Sequence, residues 1–419
     1  MSAQHDRVVR DNVHRDIVLP DDIGRLVDTK TFQRLREIKQ LATCHFVFPT
    51  ATHTRFVHSL GVQHLAGVLL ESLEHVHPGL ISDQDKKLVQ YAALLHDIGH
   101  PPFSHAFETP EIFATYRHHE DWAKIILQDE GNDLRAALIG NVGEDGLSRM
   151  LDIMSGEVEI PALHEMISSQ LDVDRLDYLM RDQINTGAKV GSFDVHRLFR
   201  ATRIGEDGGL NITRGGVAEV ESYLMMRYHM YHNVYFHKVN MLTQTYYVRA
   251  LTRARVLAEA GEMELSRRMW NMLCNSEMTA DEYLELTDAV IQSEVTDWLG
   301  CGDEELNKWA SLICSRSGMH KRIRVRDLTD AAVEISGPAI MEILAAAGHS
   351  SEDFITARVG KEGYRPYVRG IIVEGGQDIS EYSAMVRSIV APANDIMLFV
   401  PKDCREDCEK AVEAALGVG

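Results

Sequence analysis

The residues best able to do chemistry in this chain are histidines and aspartates, and they are gathered rather than scattered. Of twenty histidines, His53 and His58 flank a short arginine-containing turn. His96-Asp97 and His100 sit in YAALLHDIGHPPFSH with His105 close behind, and His118-His119-Glu120 follow. Asp172, Asp174 and Asp177 lie in LDVDRLDYLMRD. The five residues before His96 are apolar or aromatic, so His96 and Asp97 belong to the end of a buried helix. An imidazole and a carboxylate placed there need partners or a bound ion, because burying a lone charge is costly. Successive helix residues point about 100° apart, so the two converge on one ion only at a helix end facing a cavity. A lone histidine is more often a hydrogen-bonded structural residue than a ligand. His, His-Asp and Asp supplied by separate helices shift the balance towards a metal site. Mixed imidazole and carboxylate ligation suits Fe, Mn, Ni, Mg or Zn and selects weakly among them.

Asp174, Tyr178 and Asp182 recur at i, i+4 and i+8 and so share one helix face. That face is too polar for a core, and Leu171, Leu176 and Leu179 supply the apolar contacts; ligation is the better reading of Asp174. Asp177 and Arg181 read as an ordinary i,i+4 ion pair.

Such groups need rigid elements to hold them. Apolar residues at three- and four-residue spacing predict helices over Thr31–Leu41, His58–His75, Gln84–His96 and Leu163–Arg181, and one or two long helices over Val217–Ala258. Strand signals there are few, with one near Leu210–Thr213. After about Arg316 the runs become short and β-like (Arg322–Val325, Asp353–Ala357, Val368–Val373, Ile396–Val400), between helical stretches Ala331–Ala347, Ser380–Ile389 and Arg405–Ala415. The expected fold is mainly α: a helical domain over residues 1–315 and a smaller C-terminal α+β lobe over 316–419, serving oligomerisation or regulation.

Composition limits the function classes. The chain of 419 residues is 45% apolar and 25% charged, as in ordinary soluble globular proteins. No apolar run approaches the roughly 18 residues of a membrane helix. The polar start MSAQHDRVVRDNVHRD reads as neither signal peptide nor lipidation motif, so a cytoplasmic protein with no membrane partner is expected. A net charge of −20 argues against a sequence-independent grip on nucleic acid. It does not argue against a nucleotide enzyme, which needs only a local basic cleft. The six cysteines fit neither a CxxC motif nor a zinc site and read as free thiols.

HTRFVHSLG, ALLHDIGHPPFSHAFE, HHE and LDVDRLDYLMRD, in that order and spacing, resemble the HD-domain deoxynucleoside triphosphate (dNTP) triphosphohydrolases. The likeness runs from about Arg7 to Lys238 and more weakly to Lys321. It implies an HD-superfamily helical domain whose metal ligands are His58, His96, Asp97 and Asp174. It further implies metal-dependent hydrolysis of a dNTP to deoxynucleoside and triphosphate, with metal-activated water attacking the α-phosphate. His105 would be the general acid for the leaving 5′-oxygen, with His100 and His119 positioning the water or tuning that acid. Arg55, Arg175 and Arg227 occupy positions of phosphate ligands; Arg175 stands where vertebrate members carry lysine, a fork in place of a point donor. Gln40, Leu41, Tyr178, Asp182 and Tyr235 correspond to sugar and base contacts that favour deoxyribose, while Phe236 departs from the family's glutamine. A second likeness, in DTKTFQRLREIKQL, implies a guanine-nucleotide effector held by Arg7, Val8, Asp28, Gln33, Arg36 and Lys321 between subunits of a homo-oligomer, dimer or tetramer. The same segment also has the pattern of a packing helix, and Arg10 and Asp16 replace residues that serve the effector in the family.

Two other readings compete. HD domains also cleave monophosphates and cyclic nucleotides, and a binuclear site of that kind could draw on His100, His105 and His119. A non-catalytic nucleotide sensor would have lost a ligand or the acid, and here both are intact.

Overall fold

The centre of the molecule is set by two helices whose apolar residues face each other. The helix Arg55–Val76 buries Leu65, Leu69 and Leu73 along one side and is buried all round over His58–Gln63. It packs against Asp83–Leu95, which Ser82 caps by accepting the Asp85 amide at 3.0 Å and which ends in the buried run Tyr91–Leu95. A third helix, Val173–Thr186, lies on the first, and Asp133–Ser155 on the second. The computed structural model describes residues 6–325, 328–361, 364–366, 370–390 and 393–417.

Against this helical body stands an N-terminal hairpin, strands Arg7–Asp11 and Arg15–Leu19 in antiparallel register from Arg7↔Leu19 to Asp11↔Arg15. It buries Ile17 and Leu19 in the main core. A four-stranded sheet runs Thr202–Ile204, Leu210–Ile212, Ile372–Val373, Gln377–Asp378, its middle pair parallel and the outer pairs antiparallel. Residues 316–419 therefore serve two places. Ile371, Val373, Ile379, Val386 and Ile389 join the main core. Lys321–Arg322 and Ile355–Lys361 instead flank Ala393–Val400 in a separate antiparallel sheet. The helices Asp330–Ala346 and Arg405–Ala415 share a small core with that sheet. A second large core, rich in Trp122, Tyr246, Tyr247, Tyr283 and Trp309, backs the histidine-bearing loop.

The mainly helical architecture with a smaller α+β region is as expected, and so are most elements. Three details differ. The segment Thr31–Leu41 is a short helix Lys30–Gln33 and a 3₁₀ turn Arg34–Glu37, then extended chain. There Lys39 pairs with Thr54, and the Arg55 amide donates to the Ile38 carbonyl at 2.9 Å; backbone pairing outweighs leucine spacing. Leu163–Arg181 is interrupted between Ala162–Glu165 and Val173–Thr186, because Asp172 caps the second helix by accepting the Ser169 and Arg175 amides, each at 2.7 Å. Val217–Ala258 keeps to the expected one or two long helices, as Val217–Met230 and Lys238–Glu259 separated by a π turn at Tyr231–Tyr235. The hairpin is an element the helical periodicity did not announce. Of the run Val368–Val373, Ile372–Val373 is a strand and residues 367–369 lie outside the described residues. Among the described residues no helix is long and apolar enough to cross a membrane.

Candidate active site

Three chain segments bring the predicted ligands together. Thr54 begins the helix that carries Arg55 and His58; His96 and Asp97 terminate the buried Tyr91–Leu95 run; Asp174 occupies the first turn after the Asp172 cap. His58 Nε2 lies 3.0 Å from Asp174 Oδ1 and 3.5 Å from Asp97 Oδ2. His96 Nε2 lies 3.3 Å from Asp97 Oδ1 and 3.5 Å from Asp174 Oδ1. Ligands roughly 2.1 Å from an ion and at right angles to one another are separated by about 3 Å, so this spacing fits a shared cation.

Hydrogen bonding gives a second test of fit. The His58 Nδ1–H donates to Asp177 Oδ2 at 2.7 Å, and the His96 Nδ1–H to the Ala93 carbonyl at 2.8 Å. Both rings therefore turn Nε2 inwards, and neither Nε2 has an aligned hydrogen-bond partner although both are buried. The short approach of His58 Nε2 to Asp174 is off-line for a hydrogen bond, as expected of two groups aimed at a common third point. Asp97 is more encumbered: it accepts from Arg55, and from His100 Nε2 at 3.1 Å.

Charge points the same way. Burial pushes the His58 imidazole down, but the adjacent Asp174 and Asp177 carboxylates and the Asp97 charge outweigh it, leaving it raised to about 10. Burial likewise disfavours charged His96, yet Asp97 and Asp174 raise it. Asp174 is held well below the usual carboxylate range: burial opposes ionisation, and His58 and His96 overcome it. The cluster demands positive charge at its centre, which protons supply without an ion and which a divalent cation supplies by displacing them.

The other histidines form an adjoining group. His100 stacks on His119 with ring centroids 3.9 Å apart and meets the His105 ring at 4.9 Å. His105 Nδ1 and His119 Nδ1 each donate to Glu108, both at 2.5 Å. Burial raises the Glu108 carboxyl, but its bonds to His105 and His119 hold it well below the usual range. This leaves Nε2 of the exposed His105 free to meet a ligand. Glu108 escaped sequence reading, although its i,i+3 spacing from His105 was the available signal. So did Asp288, which accepts the Phe103 amide at 2.7 Å and the Lys39 amide at 3.0 Å. It pins a turn in which Phe103 and Ser104 hold left-handed backbone, φ 54° and 52°, a conformation non-glycine residues seldom keep unaided. Gly99 is equally required: a Cβ there would lie 2.1 Å from the His119 carbonyl oxygen.

Of the expected phosphate ligands, Arg55 is spent on Asp97 and Ser104. Arg175 bonds Asp172 and keeps a buried, unpartnered Nε. Arg227 donates to Gln170 Oε1 at 2.9 Å, also keeps an unpartnered Nε, and has no carboxylate within ion-pair reach among the described residues. The buried Gln40 Oε1 is likewise unpartnered, and Leu41 is half-buried beside the main core. Asp182 accepts from His53 at 2.7 Å and Tyr235 at 2.8 Å; Tyr178 packs edge-on to Tyr235 at 6.2 Å. Of the effector set, Arg7 pairs with Asp28, Gln33 Nε2 donates to the Val27 carbonyl, and Arg36 bonds Gln33 and covers the Phe56 ring. Val8 is exposed on the hairpin, and Lys321 stands apart on its own strand.

His58, His96 and Asp174 thus offer ligand atoms within 4.8 Å of one another, a group that could hold a metal ion, with Asp97 beside it. The chain belongs to the HD-domain phosphohydrolase family: residues 55–182 match the HD domain and 193–290 the HD associated region. It is 31% identical to the uncharacterized protein YwfO of Bacillus subtilis over 99% of this chain and 96% of that protein. It is also 31% identical to human deoxynucleoside triphosphate triphosphohydrolase SAMHD1, over 68% of this chain and 46% of that protein, so it spans about half of that relative's length. A phosphohydrolase from Bacteroides thetaiotaomicron superposes with a TM-score of 0.80 at 27% identity, covering 95% of this chain and all of that one, 100%.

Proposed function

We propose that this hydrolase cleaves deoxynucleoside triphosphates to deoxynucleoside and triphosphate. The observation that carries the reading is the buried Arg227 guanidinium, which has no carboxylate partner among the described residues and lies beside the half-buried Arg175. Arg227 and Arg175 lie in one tyrosine-lined region where, among the described residues, Asp172 is the sole carboxylate bonded to either. A buried, unneutralised guanidinium is costly unless a ligand neutralises it, and a triphosphate chain is long enough to span these arginines and the cluster.

His58, His96, Asp97 and Asp174 would hold a divalent ion of unassigned identity, which when bound supplies the charge that activates water and polarises the α-phosphate. The chain's own residues do the rest. His105, oriented through Nδ1 by Glu108, presents Nε2–H to the departing 5′-oxygen and supplies its proton. His119 shares Glu108 and stacks on His100, which fixes Asp97 from behind. Gln40 and Leu41 meet the sugar, with Tyr178, Asp182 and Tyr235 opposite; Asp182 must exchange His53 or Tyr235 for a 3′-hydroxyl. Arg7, Val8, Asp28, Gln33, Arg36 and Lys321 are assigned to a guanine-nucleotide effector joining subunits. The test is light scattering with and without dGTP, and an unchanged mass together with unchanged activity ends that assignment.

The deciding experiment incubates the protein with each dNTP and NTP under Mn²⁺, Mg²⁺ or Fe²⁺ and separates products by ion exchange. Deoxynucleoside and intact triphosphate, absent from a His96→Ala, Asp97→Ala variant, support the proposal; no dNTP cleavage under any metal overturns it. One observation favours a second reading, a binuclear enzyme acting on monophosphates or cyclic nucleotides. His100, His105, Glu108 and His119 place one ligand atom each within 4.8 Å of one another, and two metals per chain by elemental analysis would favour it.

A further inference from the structure

Behind the metal-type cluster lies a buried ionic chain that the reaction described above does not use. Asp177 is fully buried and accepts four hydrogen bonds. Its Oδ2 takes His58 Nδ1–H at 2.7 Å and Arg181 Nε–H at 2.8 Å; its Oδ1 takes His14 Nε2–H at 2.7 Å and an Arg181 amino group at 2.9 Å. Arg181, also fully buried, reaches on to Asp11 Oδ2 at 2.7 Å. Asp11 in turn accepts the Val13 and His14 amides, each at 2.8 Å, which closes the turn of the N-terminal hairpin. The path runs from the hairpin to a candidate metal ligand without a solvent-exposed link.

An i,i+4 ion pair made for helix stability would lie on the surface and gain a few tenths of a kcal/mol. This one is fully buried, and room has been made for it. A Cβ on Gly61, one turn below His58, would come within 2.0 Å of Asp177 Oδ1 and 2.4 Å of Arg181. The helix surrenders a side chain where the pair must approach it. The hydrogen-bond direction matters as well: because Asp177 can only accept, it fixes the His58 proton on Nδ1 and leaves Nε2 as the inward atom. A carboxylate behind a ligating imidazole orients the ring and raises its basicity.

We infer that Asp177 is the positioning residue for His58, and that the N-terminal hairpin completes the active site from behind through Asp11 and His14. The inference rests on the metal-site reading proposed above and adds to it a part of the chain outside the HD match. The hairpin is then an integral wall of the site rather than an appendage, so a disturbance of its turn reaches the metal.

The experiment measures Mn²⁺ affinity directly, by the electron paramagnetic resonance signal of free Mn²⁺, with no substrate present. The wild type is compared with Asp177→Asn, Asp11→Asn, His14→Gln and, as a control on the same hairpin, Val18→Ala, whose side chain is half-exposed. Circular dichroism establishes which variants are folded. Asp177→Asn should bind Mn²⁺ about 10- to 100-fold more weakly. Asp11→Asn and His14→Gln should weaken it less, and Val18→Ala should bind as the wild type does. Folded Asp177→Asn with wild-type affinity overturns the inference. If that variant does not fold, Asp11→Asn and His14→Gln decide: wild-type affinity in both overturns it, and weakened affinity in either sustains it. A wild type that binds no Mn²⁺, Mg²⁺ or Fe²⁺ instead refutes the metal-site reading on which the inference stands.

Discussion

Raising the pH should destabilise the metal-free protein and stabilise the metal-loaded one relative to it. His58 has its imidazole raised from 6.5 to about 10, and it is wholly buried, so solvent screening does not discount the shift. A group whose folded pKa exceeds its unfolded value contributes stability that is complete below the unfolded pKa. That stability is lost as pH climbs through the folded one. Between pH 7 and 8.5 the unfolded chain releases the proton while the native state keeps it. At 1.36 kcal/mol per unit this removes roughly 2 kcal/mol from the unfolding free energy. The window is chosen because the depressed carboxylates have finished titrating below it. His96 is raised too and adds in the same direction. With metal bound the proton is already displaced, so this decline disappears and affinity grows with pH. Urea unfolding at four pH values, with chelator or with saturating Mn²⁺, measures both slopes; His58→Gln subtracts cysteines and other groups that titrate nearby. A metal-free stability that is flat or rising over this window, or a slope unchanged in His58→Gln, refutes the reasoning.

Arg227→Gln removes a buried cation that has no carboxylate partner among the described residues, so it should stabilise the ligand-free protein by about 1 kcal/mol or more. It should also raise KM for dNTP at least tenfold; thermal unfolding and initial rates check the two halves. Gly61→Ala should cost more than roughly 3 kcal/mol, because its Cβ would overlap the buried Asp177–Arg181 pair; chemical denaturation reads this directly. Asp288→Ala releases the Phe103 and Lys39 amides and should lower kcat by at least tenfold while changing Mn²⁺ affinity by less than threefold, since none of the four candidate ligands touches it. Glu108→Gln keeps the side-chain shape but not the charge that orients His105, and its loss should appear in kcat rather than in KM, as initial rates over a range of dNTP concentrations would read.

Much of the site is legible in the sequence because its parts are local. A polar His-Asp pair directly after YAALL cannot lie quietly at the end of a buried helix, and a carboxylate on a polar helix face beside leucines asks for a purpose. The helices were legible for a similar reason: burial imposes a period, which Leu65, Leu69 and Leu73 carry in the C-terminal half of Arg55–Val76. The misreadings come from places where a long-range partner decides. Leucine spacing in FQRLREIKQL suggests a continuous helix, but pairing of Lys39 with Thr54 pulls the chain straight. The interruption before Asp172 was signalled by SSQLD, a capping sequence hidden inside a run whose apolar period continues across it.

Asp177 illustrates the limit most directly. Its spacing from Arg181 correctly predicted that the two would meet, and local rules then assigned the pair to helix stabilisation. What changes the assignment is a pair of residues far away in sequence, His58 at one oxygen and His14 at the other. No periodicity links position 14 to position 177, and the hairpin that delivers His14 has strands too short and too polar to announce themselves. A local pattern therefore identifies which side chains can interact, whereas burial and the third partner determine what the interaction is for. The same holds for Glu108, where i,i+3 spacing from His105 was visible but the arrival of His119 turns a surface contact into a shared anchor for two imidazoles. In this protein the candidate ligands were readable as a motif, and the groups packed behind them became readable only once the chain had folded around them.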